Sequence, residues 1–216
     1  MADEIESALE TQEDKPLEKP RAVKLVYNLN DDYRTPRYLV QILEPFVLDF
    51  MRRKGIDRQL SVYCPFDTEE SEFVRYFKAT GAKVTYGDIK TGQDFFLTPI
   101  PDCDLVVSNP PFSVKKEVFS KLFLAGKPFA MLMNLQAMQY QEIGFLLYTE
   151  SQRSEAVQFI IPDKKVSFDG HTAAFCSGYY CWRFIEKTAY AHLPHNNSRG
   201  HFVPAYSLGK QEGING

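Results

Sequence analysis

The chain lacks any uninterrupted apolar stretch approaching the roughly 18 residues that a membrane-spanning helix needs. Its best candidate, Leu39 to Met51, is broken by Gln41, Glu44, Pro45 and Asp49. The acidic first residues carry no apolar core segment, so no secretory signal is expected. Cysteine is scarce, and Cys64, Cys103, Cys176 and Cys181 show no Cys-x-x-Cys spacing. They read as reduced thiols of a cytoplasmic protein, with Cys176 and Cys181 as buried strand residues rather than metal ligands. His192-Leu-Pro-His195 sets a proline between two potential ligands and brings no third, so no metal site is expected. No internal repeat is visible. Neither sign of charge dominates. Residues 1–20 hold seven of the 28 acids and two of the 25 basic residues, which leaves 23 basic against 21 acidic in the rest. A nearly balanced body permits a phosphate-bearing substrate without requiring one.

What is present is ordinary globular text: 44% apolar and 25% charged residues over 216 positions, enough for one sizeable core. Residues 1–22 read as an acidic flexible tail, since that composition buries too little to offset the entropy of ordering. Thr35-Pro36 reads as a helix start, Thr35 capping and Pro36 in the first position. Leu39, Ile42, Leu43, Phe46, Val47 and Phe50 follow at helical spacing, with Pro45 a possible kink and Gly55 the stop. Strands and helices then alternate. Strands are expected over 60–64, 83–86, 104–108, 129–133 and 157–161, and helices over 69–79, 115–124 and 137–148. Lys165 to Phe168 and Phe175 to Phe184 read as a hairpin. The fold class is therefore α/β, a doubly wound and mostly parallel sheet with a C-terminal antiparallel hairpin. Residues 191–216, rich in Gly, Asn and Ser, read as a loop-like tail.

One segment carries chemistry. Asp104-Leu-Val-Val-Ser-Asn109-Pro110-Pro111-Phe112 is an apolar strand running into two prolines. Each proline holds its predecessor extended and removes a backbone donor, leaving a stiff run of free carbonyls. The Asn109 side-chain oxygen and the Pro110 carbonyl can accept both hydrogens of one planar –NH₂ group. Two fixed acceptors favour a more tetrahedral nitrogen whose lone pair can attack a methyl sulfonium. Phe112 offers a flat face for the ring that bears the amine.

This segment resembles the Asn/Asp-Pro-Pro-Tyr/Phe motif of S-adenosylmethionine-dependent amino-group methyltransferases of the DNA N6-adenine type, above all the small members encoded by phages and prophages. Asn30-Asp31-Asp32-Tyr33-Arg34-Thr35-Pro36 resembles the family's Tyr-x-Thr-Pro cofactor motif, and the two stand in family order. The resemblance covers roughly residues 28–185, so residues 23–190 are expected to form a methyltransferase-like domain. It implies a Rossmann-like sheet of seven strands with the last antiparallel, S-adenosylmethionine as cofactor, and a nucleic-acid substrate, DNA before RNA. Asn109, Pro110, Pro111 and Phe112 become the catalytic set. Tyr33, Thr35, Pro36, Cys64, Phe66, Asp67, Asp88, Asp94 and Phe95 become candidates for the cofactor: Asp88 for ribose hydroxyls, Asp94 and Phe95 for the cofactor's adenine. The family's first strand ends in a glycine-rich turn, whereas Ser61 to Ser71 contains no glycine. Asp67 and Thr68 are equally natural caps of the helix expected from Glu69. Phe168, Lys164 and Lys165 fall where the family meets its target base and phosphates.

No insertion between the two motifs leaves room for a sequence-reading domain, so the chain is expected to be relaxed in specificity, to act on RNA or single strands, or to depend on a partner protein. Two other functions remain open. The same acceptors can cradle a glutamine side-chain amide in a protein, and a silent methyltransferase fold can serve a phage or mobile element as a binding or inhibitory protein.

Overall fold

The computed structural model describes residues 34–168, 171–172 and 175–193. The tail expected over residues 1–22, and Tyr33 and His195, lie outside these. Helices α1 (Arg37–Gln41) and α2 (Glu44–Lys54) lead into strand β1 (Ser61–Cys64). Next come α3 (Glu72–Ala79), β2 (Lys83–Tyr86), β3 (Leu105–Ser108), α4 (Lys115–Ala125), β4 (Phe129–Asn134), α5 (Gln141–Arg153) and β5 (Gln158–Pro162). Short strands β6 (Ser167–Phe168) and β7 (His171–Thr172) precede β8 (Ser177–Trp182) and β9 (Ala189–Ala191). Seven strands form one sheet in the order β2-β1-β3-β4-β8-β5-β9. β1 pairs in parallel with both β2 and β3, and β3 with β4, so the chain reverses its direction of winding between β1 and β3. In open α/β sheets the crevice at such a reversal, at the carboxyl ends of the strands, is where ligands bind. β8 is antiparallel to both of its neighbours, β4 and β5. No helix among the described residues is long and apolar enough to cross a membrane.

Alternation along the strands sorts the core into two layers. Leu105 and Val107 of β3, Ala130 and Leu132 of β4, and Tyr179 and Cys181 of β8 face one layer, with α1, α2 and α3 over them. Val106, Phe129, Met131, Met133, Tyr180 and Trp182 face the other, covered by α4 and α5. All four residues of β3 are buried, as a central parallel strand requires. The second layer is an aromatic chain: Phe119, Phe123, Phe129 and Trp182 lie at centroid spacings of 5.5–6.0 Å. In the first layer the buried Tyr179 hydroxyl donates to the Leu39 carbonyl at 2.8 Å and so ties α1 to β8.

Several local expectations change. Pro36 is the residue before α1 rather than its first, and the helical run breaks at Ile42–Leu43, with Pro45 in the opening turn of α2. α3 starts at Glu72, not Glu69, because the Thr68 N–H is taken by Ser71 Oγ at 2.9 Å. Asp67 and Thr68 are therefore not its caps. A 3₁₀ turn over Leu135–Gln139 replaces the first part of the helix expected from Ala137. Ser167–Phe168 pairs with His171–Thr172, while Ser177–Trp182 threads between β4 and β5, so the hairpin expected between these two segments does not form. β9 runs parallel to β5, with Pro162 opposite Ala191.

Gly178 shows how tightly β8 is held. A Cβ there would sit 2.8 Å from Leu135 Cδ2 and 2.9 Å from the Ile160 carbonyl oxygen, a strand atom that cannot step aside. Gly178→Ala should lower stability by roughly 1–3 kcal/mol, as overpacking does. The check is a shift of the urea midpoint at unchanged slope; an unshifted midpoint would contradict the packing described.

Candidate functional site

β3 brings the motif to the reversal point. Its last residue, Ser108, is fully buried, and the chain reaches the carboxyl edge of the sheet at Asn109. Asn109 is half-buried, and its side-chain oxygen is closed off from solvent. Pro110 is buried, and Pro111 stays extended at φ −56° and ψ 133°. Phe112 then opens a 3₁₀ turn to Val114, and α4 begins at Lys115. The Lys115 ammonium donates to the Phe112 carbonyl at 2.6 Å and lies 5.0 Å from the centre of the Phe112 ring. The four motif residues are thus fixed between a buried strand and a helix start.

Asp67 is the second feature of this edge. Its residue exposure is 6%, and its carboxylate accepts from the Ser108 hydroxyl, linking the turn after β1 to the residue before Asn109. Its own N–H donates to the Gly87 carbonyl at 3.0 Å, which extends the β1–β2 pairing. Burial pushes the Asp67 carboxyl up to about 7, against hydrogen bonds from Ser108 and Ser71 that pull it down, and Asp88 adds a smaller upward push. The carboxyl is turned into the protein.

The other cofactor candidates divide by depth. Cys64 is wholly buried in the first core layer, and only its carbonyl, which accepts from Gly87 N–H at 3.1 Å, is engaged at the edge. Phe95 is also buried, 4.8 Å from the ring of half-buried Phe66, with the Lys121 ammonium 4.8 Å above its ring. Asp88 and Asp94 are half-exposed, at the two ends of the turn that follows β2. Asp88 Oδ1 accepts from Lys90 N–H at 2.7 Å and Asp94 Oδ1 from Phe96 N–H at 2.8 Å, so each carboxylate is aimed by a local backbone bond. Thr35 and Pro36 are half-buried ahead of α1.

On the far side, β5 runs parallel to β4, so the loop after it opens at the same edge as Asn109. That loop carries the exposed Lys164 and Lys165 and the buried Phe168, whose exposure is 3%. Phe168 does not reach the edge itself. Half-buried Phe175, which the sequence reading did not single out, stands 6.4 Å from Phe168 and 5.3 Å from Phe112 and joins the two. Ser71, Lys115 and Tyr140 were missed as well, and Ser108 was read as part of the motif segment without its bond to Asp67. Lys115, three residues past Phe112, was legible as a neighbour of the motif. His192 pairs with Asp163, and among the described residues no cluster of His, Cys, Asp and Glu could hold a metal ion. A groove of about 530 Å3 lies at the opposite, amino edge of the sheet, but its Arg58 is held by Asp104 and its Lys127 by Asp102.

No family model matches the chain, and no curated protein matches it. Among solved structures it is similar to a protein of Listeria monocytogenes assigned as a class I S-adenosylmethionine-dependent methyltransferase, at 10% identity and a TM-score of 0.49. That match covers 81% of this chain and 70% of the other. It is similar also to TrmN from Thermus thermophilus, at 17% identity and a TM-score of 0.33, over 62% of this chain and 47% of that one. A third is the precorrin-6y C5,15-methyltransferase of Geobacter metallireducens, at 12% and 0.38, over 70% and 94%. With scores this low, the reading of function rests on this chain's own residues.

The buried acid has a measurable signature. A carboxyl with an ordinary value of 3.8 when unfolded and about 7 when folded binds more protons in the native state between those two pH values. Stability should therefore fall as pH rises from about 4 to about 7 and level off above. Asp67→Asn, which can still accept from Ser108, should match the wild type near pH 3 and exceed it above pH 8 by an amount on the order of a few kcal/mol. Thermal melts across that range test this, and parallel curves for the two proteins would exclude a buried titrating Asp67.

Proposed function

We propose that the protein is an S-adenosylmethionine-dependent methyltransferase acting on the N6 amine of adenine in nucleic acid, DNA before RNA. The observation that carries the reading is the placement of Asn109. A shielded side-chain oxygen stands at the carboxyl end of a fully buried central strand, at the sheet's reversal point, and two prolines fix the chain after it.

The cofactor, when bound, supplies a methyl group on positively charged sulfur. The residues of the chain do the rest. Asn109 Oδ1 and the Pro110 carbonyl accept the two amine hydrogens and draw the nitrogen lone pair out of conjugation. Phe112 stacks on the base. The amine held in this way would take the methyl group that the cofactor would supply and would then give up one proton to water. Acceptors fixed in advance cost no reorganisation at that moment.

For the nucleoside half of the cofactor, Asp88 would serve the ribose hydroxyls and Asp94 an exocyclic amine, and the half-buried Phe66 would offer the ring face that the buried Phe95 does not. Thr35 and Pro36 would take the other side; Tyr33 lies outside the described residues. Asp67 acts from behind the site, through Ser108, rather than on the ligand. A cytoplasmic setting and a partner protein that supplies sequence specificity complete this reading.

The inward turn of Asp67, with no glycine in its turn, also favours a second reading, that of a silent fold used as a binding or inhibitory protein. Cofactor binding separates the two. At 100 times its Kd a true ligand should stabilise the protein by about 2.7 kcal/mol. In the enzyme reading, Asn109→Ala should keep that stabilisation and lose methyl transfer, with the loss in kcat more than in KM. Mass spectrometry of nucleosides and of protein after incubation with labelled cofactor distinguishes an adenine from a glutamine amide as acceptor. Transfer by Asn109→Ala within about tenfold of wild type would count decisively against the catalytic assignment.

A further inference from the structure

Tyr140 is an exposed aromatic held in an unusually fixed place. It follows the 3₁₀ turn Leu135–Gln139 and precedes α5, and 49% of its surface is exposed. The turn beneath it is pinned from the core. The Tyr180 hydroxyl donates toward the Asn134 and Leu135 carbonyls, at 2.9 and 3.1 Å, and accepts from Met138 N–H at 3.1 Å. Asn134 Oδ1 accepts from Gln136 N–H at 2.7 Å. Gly144 allows α5 to close on the turn, where a Cβ would come within 2.8 Å of the Met138 carbonyl oxygen. A tyrosine needed only as filler would not be presented to solvent on such a frame.

Its position beside the motif gives the frame a purpose. The Lys115 ammonium lies 5.7 Å from the Tyr140 ring centre and 5.0 Å from that of Phe112, so one cation stands between an exposed ring and the ring of the catalytic motif. With Phe175 edge-on against Phe112, three rings and one lysine line the catalytic edge. Lys116 is engaged with Glu142 at 3.0 Å and adds little to this row. Alternating rings and cations are what an unpaired nucleic-acid strand uses: bases stack on the rings, and backbone phosphates meet the cations.

We propose that Tyr140 and Lys115 form a binding step for the single-stranded segment that flanks the target base, Tyr140 stacking on a neighbouring base and Lys115 meeting the phosphate between. The proposal rests on the nucleic-acid methyltransferase reading and names the form of its substrate. It also assigns a role to a residue outside every motif.

The test is fluorescence anisotropy of a labelled single-stranded oligodeoxynucleotide with the full chain at low salt, no cofactor added. Wild type should bind the single strand more tightly than the matching duplex, with affinity falling as salt rises. Tyr140→Ala should weaken binding about tenfold or more, while Tyr140→Phe, which keeps the ring, should bind as wild type does. Thermal melts confirm that both variants fold. Equal binding by wild type and Tyr140→Ala overturns the proposal, as does a wild type that fails to bind or prefers duplex. Stabilisation by S-adenosylmethionine is measured on the same samples. If cofactor binds and the Tyr140 effect is absent, this inference fails alone. A Tyr140 effect without cofactor stabilisation upholds the binding step and removes the transfer reading.

Discussion

Leu105 to Ser108 have no face toward solvent. Backbone pairing to β1 and β4 occupies their edges, and the two core layers occupy their sides. The chain can become polar only where that strand ends, so the boundary between core and chemistry falls between Ser108 and Asn109. A buried hydroxyl at such a boundary needs a partner. Asp67 provides it, and the two neighbouring strands are thereby tied at the carboxyl edge. Asn109 inherits its position from that tie on one side and from the two prolines on the other.

The tie has a cost that shapes the cofactor turn. A carboxyl that is 6% exposed is penalised in its charged form, and its protonation then falls near neutrality. An acid committed inward cannot also reach an ammonium in the crevice. With no glycine between Ser61 and Ser71, the turn gains order from side chains instead: Ser71 Oγ on Thr68 N–H, and Asp67 on Ser108. In the proposed reading, recognition of a nucleoside would fall to the turn after β2, where Asp88 and Asp94 are each oriented by one backbone N–H.

The sequence made the parallel half of the fold legible, because its strands are short apolar runs between turn residues and its helices are closed by glycine. Lys83–Tyr86 falls where the pattern puts it, and Gly55 and Gly126 stop α2 and α4 in the left-handed conformation. The start of α3 was not legible, since a side-chain bond three residues long decides it. The position of β8 was not legible either. Its apolar run is plain, but its insertion between β4 and β5 follows from register with residues about 50 positions back on one side, Phe129 opposite Trp182. β9 reads only Ala-Tyr-Ala and carries too little pattern to mark a strand. At the site the motif was legible because its stiffness comes from covalent geometry. Tyr140 was not, because its place depends on Tyr180, 40 residues later and in the other half of the sheet.

That dependence bears on how the edge can work. The proposed catalysis by fixed acceptors would require them to stay fixed while charge develops, so the walls beside Asn109 would matter as much as Asn109. One wall is the β4–α5 turn, anchored by Tyr180 to the aromatic chain of the second core layer. The other is the segment after β5, where Tyr38 on α1 donates its hydroxyl to the Ser167 carbonyl at 3.0 Å and accepts from Ser167 N–H at 3.1 Å. α1 is itself held to β8 by Tyr179. Adjacent tyrosines of β8, pointing to opposite faces of the sheet, thus secure the two sides of the edge through different core layers. A single inserted antiparallel strand couples both walls, and a displacement of β8 would loosen them together.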